Sequence, residues 1–310
     1  MNKTNTIFRI GVLLLYLLVS TDSAKSADFL DTYNVVWNSQ SSNSSESMPV
    51  GGGDVGLNVW VEENGLLFYI GRSGTFDENN QMLKLGRVRL ALDPNPFSKD
   101  GQFRQELKLR QGYLEIAGET AGQAHTTIKA WGEIFRPVIH VDIDSDTPIS
   151  VTAQYECWRN AARELPGDCR KTRFPCMSLV GYPGKVTMYA DHISHRNNAV
   201  LWYHRNNNDD LLFDKEIKQQ ELEEVKDQIW NSLKNRTFGG LMKGEGMVAA
   251  GTSSGRYAYT DFKTWNLRSD SAKKKHKLKL YLHTDRSETI EQWNSGLNAL
   301  VRTADESDIS

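Results

Sequence analysis

Apolar and polar residues alternate at period two along most of the chain, in short runs such as Leu57, Val59 and Val61, then Val88, Leu90 and Leu92, Leu114 and Ile116, Ile139, Val141 and Ile143, and Val151, Ala153 and Tyr155. A side chain that points alternately to two sides gives one face to a core and the other to water, so these runs read as half-buried strands. Pro94, Pro96, the Gln111-Gly112 pair and the Asp146-Thr147-Pro148 stretch separate them. The pattern predicts an all-β fold, mainly antiparallel, built as a large β-sandwich. No internal repeat of fixed period is visible.

Two stretches change period. Over 214–234, Ile217, Leu222, Val225, Ile229 and Leu233 recur at three-to-five spacing among charges, which predicts a helix inserted between strands and lying across a sheet face. Near the end, Ile290, Trp293, Leu297, Leu300 and Val301 form a second apolar stripe. Asp285 and Glu288 have the spacing of a capping box, so a C-terminal linker helix is expected to begin near 285. Its stripe calls for a cover, and only the polar tail TADESDIS follows it.

The densest stretch is MPVGGGDVGLNVWVEENGLLFYIGRSGTFDENN, over 48–80. Gly51, Gly53 and Gly56 satisfy G-x-G-x-x-G, but a serine-rich loop precedes them and an alternating segment follows, so the strand-before and helix-after of a dinucleotide site are missing. Leu57 and Asn58 stand where a phosphate loop needs Lys and Ser/Thr. A hairpin is expected instead, turning at Asn64-Gly65. Its far end delivers Arg72, Ser73, Thr75, Asp77, Glu78, Asn79 and Asn80 into one loop. Such donors and acceptors suit a hydroxyl-rich ligand, and equally an ordinary solvated loop.

The GGGDVG-to-SGTFDENN block, LWYHRNN (201–207) and NRTFGGLMKGEG (235–246) together resemble a family of secreted bacterial domains catalogued as domain of unknown function 5703. That family is similar to the N-terminal β-sandwich, or supersandwich, of glycoside hydrolases of the family 95 and family 65 kind. There a P-(L/I)-G-N-G-x-x-G turn and a strand lead to a polar loop facing the sugar pocket. The counterpart here runs from Pro49 to Gly56, with Gly52 where the relatives often carry Asn. The resemblance implies a substrate-binding role for Arg72, Ser73, Asp77, Glu78 and Asn79, and moves His204 and Arg205 toward the same site. It also implies that a helical catalytic domain packs against the C-terminal linker helix and carries the catalytic acid and base.

Composition narrows the partners. Lys and Arg total 37 against 39 acidic residues, a balance that disfavours nucleic acid, whose binding rests on phosphate neutralisation. The one basic cluster, Lys273-Lys274-Lys275-His276-Lys277, leads into Leu278, Leu280 and Leu282 at period two and reads as a strand edge. Lys3 and Arg9 precede an apolar run over 10–19 and small residues through Ser26, the layout of a secretory leader and too short for a permanent membrane anchor. The expected organisation is a signal peptide over 1–26, a β-sandwich over 27–284, and a helical linker with polar tail over 285–310, exported to the periplasm or beyond the cell. Cys157, Cys169 and Cys176 match no zinc spacing; in an oxidising compartment Cys169 and Cys176 are the plausible pair.

Catalysis by this chain alone finds little support in the sequence. Glycoside hydrolysis needs two carboxyl groups fixed across the scissile bond, and Asp77 and Glu78 are neighbours that point apart. No catalytic residue and no cofactor are assigned. His140, Asp142 and Asp144 share one strand face and could hold a cation or simply meet solvent. His192 and His195 lack a metalloprotease context, and no G-x-S-x-G elbow occurs. Trp202 and His204 are expected on one side of their strand and Tyr203 and Arg205 on the other. Three roles remain in competition: a non-catalytic sandwich shaping the carbohydrate pocket of a glycoside hydrolase-like protein, a stand-alone carbohydrate-binding module, and a sandwich that docks a protein through the Trp293 face.

Overall fold

The computed structural model describes residues 29–98, 100–119, 125–165 and 182–306. The leader and the Cys169 and Cys176 pair lie outside the described residues. Among the described residues, seventeen strands run in chain order as β1 Val35–Trp37, β2 Met48–Gly52, β3 Val55–Glu62, β4 Gly65–Arg72, β5 Arg87–Asp93, β6 Gln102–Lys108, β7 Tyr113–Glu119, β8 Thr126–Gly132 and β9 Val138–Cys157. They continue as β10 Arg163–Leu165, β11 Val186–Met188, β12 His192–Arg196, β13 Ala199–Arg205, β14 Arg236–Gly244, β15 Met247–Tyr257, β16 Thr260–Ser269 and β17 Lys273–Arg286. Helix α1 is Leu212–Gln219 and α2 is Ile290–Glu306.

The expected mainly antiparallel sandwich is what the chain forms. One branch of the sheet follows the order β1-β6-β7-β8-β9-β17-β14-β13-β12, and a second runs through β2, β3, β4, β5, β9, β16 and β15. Strand β9, 20 residues long, belongs to both. Its first half pairs with β8 and β17, and its second half with β5 and β16. The core lies between the branches, where Val59, Phe68, Val88 and Leu90 of one meet Ile116, Ile128, Val141, Trp202, Phe238 and Leu280 of the other, all nearly or fully excluded from solvent. Removing that apolar area from water is the main favourable contribution to the fold.

The hairpin β3-β4 forms, but it turns one residue earlier than expected. Glu62 pairs with Gly65, so Glu63 and Asn64 make the turn. Gly65 sits at φ +130, and a Cβ there would lie 2.2 Å from the Leu90 carbonyl oxygen of the neighbouring strand, which explains the glycine. In the glycine string, a Cβ on Gly52 or Gly53 would lie 2.3 Å from the Gly132 oxygen or 2.4 Å from the Ile134 oxygen. These glycines admit the backbone of the β8-β9 connection rather than a phosphate.

Both expected helices form, with bounds that differ from the expected ones. The inserted segment is a short helix, α1, and then a 3-10 turn over Glu223–Gln228, with Glu221 between them at φ +55. A left-handed residue breaks the i to i−4 ladder, which separates α1 from the 3-10 turn. The segment packs on the small two-stranded sheet of β10 and β11 rather than on the large one. Leu212 and Leu233 pack with Leu165, Val186, Met188 and Phe76 in a small separate core. Helix α2 begins at Ile290, later than the Asp285 to Glu288 spacing suggested. The reciprocal cap is made by Thr289 and Gln292: each backbone N–H donates to the other's side-chain oxygen at 3.3 Å. Its stripe is covered from within the chain, because Trp293, Leu297 and Ala304 pack on Val138, Leu201, Leu241 and Tyr281.

Candidate functional site

Three sequence blocks far apart in the chain meet at one end of the sandwich. The loop after β4 carries Asp77, Glu78 and Asn79; the end of β13 carries His204 to Asn207; the start of β14 carries Asn235 to Thr237. Backbone and side-chain bonds sew them together. Asn207 N–H donates to Glu78 Oε1 at 2.8 Å, Asn206 Nδ2 donates to the carbonyls of Phe76 and Leu233, and Asn208 Nδ2 donates to Asn235 Oδ1 at 2.6 Å. Arg236 Nη1 donates to the Gly74 carbonyl at 2.8 Å.

At the centre is a buried node of two carboxylates and two cations. His204, 2 % exposed, has Nδ1 at 3.0 Å from Asp191 Oδ1 and Nε2 at 3.2 Å from both oxygens of Glu78. Asp191 also accepts from Arg159 through Nε at 3.0 Å and Nη2 at 2.6 Å, a bidentate pairing. Cys157 Sγ–H donates to Asp191 Oδ2 at 3.4 Å, and Arg159 Nη1 donates to the Lys84 carbonyl. Phe238 stacks on the imidazole. Burial pulls the His204 pKa down, but its hydrogen bonds to Asp191 and Glu78 outweigh that and carry it up to about 9. Burial alone would raise the Asp191 carboxyl; the charges of Arg159 and His204 hold it below its ordinary value. Burial also raises the Cys157 thiol, which makes it a packed group rather than a nucleophile.

The sequence-selected residues divide between this node and the rim above it. Asp77, Glu78 and Asn79 are no more than 1 % exposed. Asp77 Oδ1 accepts from the N–H groups of Asn79 and Gln81, closing the loop on itself, and Asn79 Nδ2 donates to the Thr187 carbonyl. Arg205 is spent on Thr237 Oγ1 and on the carbonyls of Ser287 and Glu288, tying β13 to the approach to α2. Trp202 and His204 are buried on one side of β13 and Tyr203 and Arg205 are half-buried on the other, as alternation predicted. Ser73 is exposed. Arg72 lies beneath it, donating through Nε to Asp54 at 3.2 Å and through Nη1 to the Leu282 carbonyl at 2.5 Å. The groups that reach solvent here include the exposed Asp54, Ser73 and Arg286 and the half-buried Arg236, with Arg72 behind them.

His140, Asp142 and Asp144 do not converge. His140 turns to Glu133 Oε1 at 2.7 Å and stacks on Trp131, while Asp144 pairs with Lys275. The sequence reading missed Asp191 and Arg159, half of the node. Asp191 precedes β12 with no periodic signal, and Arg159 follows the Cys157 end of β9. The only legible hint was their type, since a buried histidine beside a buried carboxylate needs charge partners of its own. It also missed Trp230, which stands 71 % exposed.

The chain belongs to the family described as "Domain of unknown function (DUF5703)", whose N-terminal model, DUF5703_N, matches residues 36–310. No curated protein matches it. Among solved structures, one similar chain is described as "Putative kojibiose phosphorylase from human microbiome", at 13% identity and a TM-score of 0.39. The match covers 88% of this chain and 35% of that one, so the chain spans about a third of that structure's length.

Proposed function

We propose that this chain is a non-catalytic β-sandwich domain of an exported glycoside hydrolase-like protein, and that its rim of Asp54, Ser73, Arg236 and Arg286, backed by Arg72, forms one wall of a carbohydrate site. The observation that carries the reading is the sealing of the loop carboxylates. Asp77 and Glu78 are 1% and 0% exposed, so the loop's acids act in folding and its outer groups are the ones that meet a ligand. Hydroxyl, carboxylate and guanidinium groups gathered at one sheet end are the donor and acceptor set that a sugar's hydroxyls require. A helical domain beside the sandwich would carry the acid and base, and export from the cell belongs to the same proposal.

The test measures glycan binding and turnover by the same purified chain. The expected result is weak binding, roughly millimolar, with no hydrolysis or phosphorolysis, and loss of binding when the exposed Ser73→Trp fills the rim. Hydrolysis that disappears in Asp77→Asn or Glu78→Gln would overturn the non-catalytic part of the reading. No binding across neutral and acidic oligosaccharides would overturn the rest.

A further inference from the structure

The most exposed tryptophan side chain with a fixed partner is Trp230, which follows the 3-10 turn over Glu223–Gln228. Its surroundings are built rather than incidental. The Arg286 guanidinium lies 5.2 Å from the indole centroid, and Arg286 Nε is anchored on the Lys234 carbonyl at 3.2 Å. One face of the ring is therefore backed by a cation that is itself held in place, and the side chain remains 71 % exposed. Large aromatics are normally well covered, so an indole held open and backed is a surface that something else completes.

A second observation points the same way. Arg236 and Arg286 are directly opposed across β14 and β17, a like-charge pairing that costs stability in a sheet. Burial, and then the charge of Arg286, pull the Arg236 pKa below its ordinary value. Arg236 uses Nε on the Ser232 carbonyl and Nη1 on the Gly74 carbonyl, which leaves Nη2 donors, and Arg286 keeps its Nη donors. Two opposed guanidinium groups with donors to spare beside an open indole match a ring with an apolar face and a periphery of oxygen acceptors. That is the chemistry of a pyranose: its C–H face stacks on the open side of the indole, and its hydroxyl or carboxylate oxygens accept from Arg236.

We infer that Trp230 is the stacking platform of a saccharide subsite, with Arg286 backing the ring and Arg236 as a hydrogen-bond donor, continuing the rim at Ser73 and Gly74. This rests on the carbohydrate reading above and adds the residue that positions the sugar. Both neutral and uronic saccharides offer the required ring.

The experiment is saturation-transfer NMR with indole fluorescence on the full chain, using cellopentaose, maltopentaose and pentagalacturonate as probes. At least one probe is expected to bind the wild type. Trp230→Ala is expected to weaken it at least tenfold, Trp230→Phe to retain most of the affinity, and Arg286→Ala to weaken it with the Trp230 ring still present. Because Trp230 is exposed, an unchanged melting temperature in Trp230→Ala is expected and checks folding. Pentagalacturonate binding that falls with added salt identifies an acidic sugar; salt-independent binding of either neutral probe identifies a neutral one. Wild-type affinity in Trp230→Ala, with binding still lost in Ser73→Trp, overturns the platform and leaves the carbohydrate reading standing. No binding of any probe by the wild type overturns both.

Discussion

The node around His204 and the ladder on the outer face of β8, β9 and β17 both pair carboxylates with cations and do opposite things. In the ladder, Asp142 lies between Lys129 and Lys277, and Asp144 pairs with Lys275 at 2.5 Å, with 59% and 77% of the two side chains still in water. In the node, Glu78, Asp191, His204 and Arg159 have side chains no more than 2% exposed. Solvent already stabilises each charge of the ladder separately, so pairing adds little. Nothing but the partners stabilises a charge in the node, so the four groups are bound to one another's presence. An ion pair matters to the extent that water cannot replace either member.

The largest break in this comparison is expected from His204→Ala. It leaves Glu78 and Asp191 buried against a single remaining cation, and removing one member of a buried ionic group costs about 3–5 kcal/mol. Urea denaturation of the purified variant measures it. A loss under about 1 kcal/mol would mean that water reaches the node.

Acidity probes the same contrast without mutation. His204 has its pKa raised from 6.5 to about 9 on folding, so its contribution is complete below pH 6.5 and is lost as the pH rises through 9. Asp77, raised from 3.8 to about 6 chiefly by burial, titrates in the same direction: the folded state prefers its neutral form, and stability falls as the pH rises from 3.8 through 6. Below that window the depressed carboxyl of Asp191 works in the opposite sense, since protonating it removes its pairing with Arg159. Melting temperatures are expected to decline from pH 6.5 to 9. His204→Ala should flatten that decline, and a parallel decline in both proteins would remove His204 as its source.

Asp77 supplies a smaller and opposite test. Its Oδ1 accepts two backbone N–H bonds that an asparagine oxygen also accepts, while its charge is disfavoured by burial. Asp77→Asn is expected to stabilise the chain by about 1 kcal/mol at pH 8, with the gain shrinking below pH 5. Equal denaturant midpoints at both pH values would show that the carboxylate is not strained there.

Strand period was the clearest message in the sequence, because two-fold alternation follows from geometry that every half-buried strand shares. Leu57 to Val61 and Ile139 to Ile143 declared themselves for that reason. The α1 segment misled because its apolar residues recur at helical spacing while Glu221, at φ +55, ends the helix early; nothing in a glutamate announces a left-handed turn. The stripe of α2 looked uncovered because period shows that a face is apolar and not which surface of the same chain meets it. The loop residues Asp77, Glu78 and Asn79 were recognisable as a polar cluster, but composition cannot tell a cluster facing water from one facing a histidine. Only the contact between Glu78 and His204, separated by 126 positions, decides that.

The ladder gives the final and smallest expectation, and it is the control for the others. Asp144→Ala removes an ion pair whose geometry is as close as any in the node, since Lys275 Nζ lies 2.5 Å from its carboxylate. If separation alone set the strength of a pair, the loss would rival that of His204→Ala. With both side chains more than half exposed, water takes over Lys275 once its partner is gone, and the long lysine side chain regains rotamer freedom. The expected change is under about 0.5 kcal/mol, and it should vanish in molar salt, where screening extends over only about 3 Å. A loss of several kcal/mol in Asp144→Ala, measured by the same urea titration, would mean that the outer face of this sheet is covered by something other than solvent.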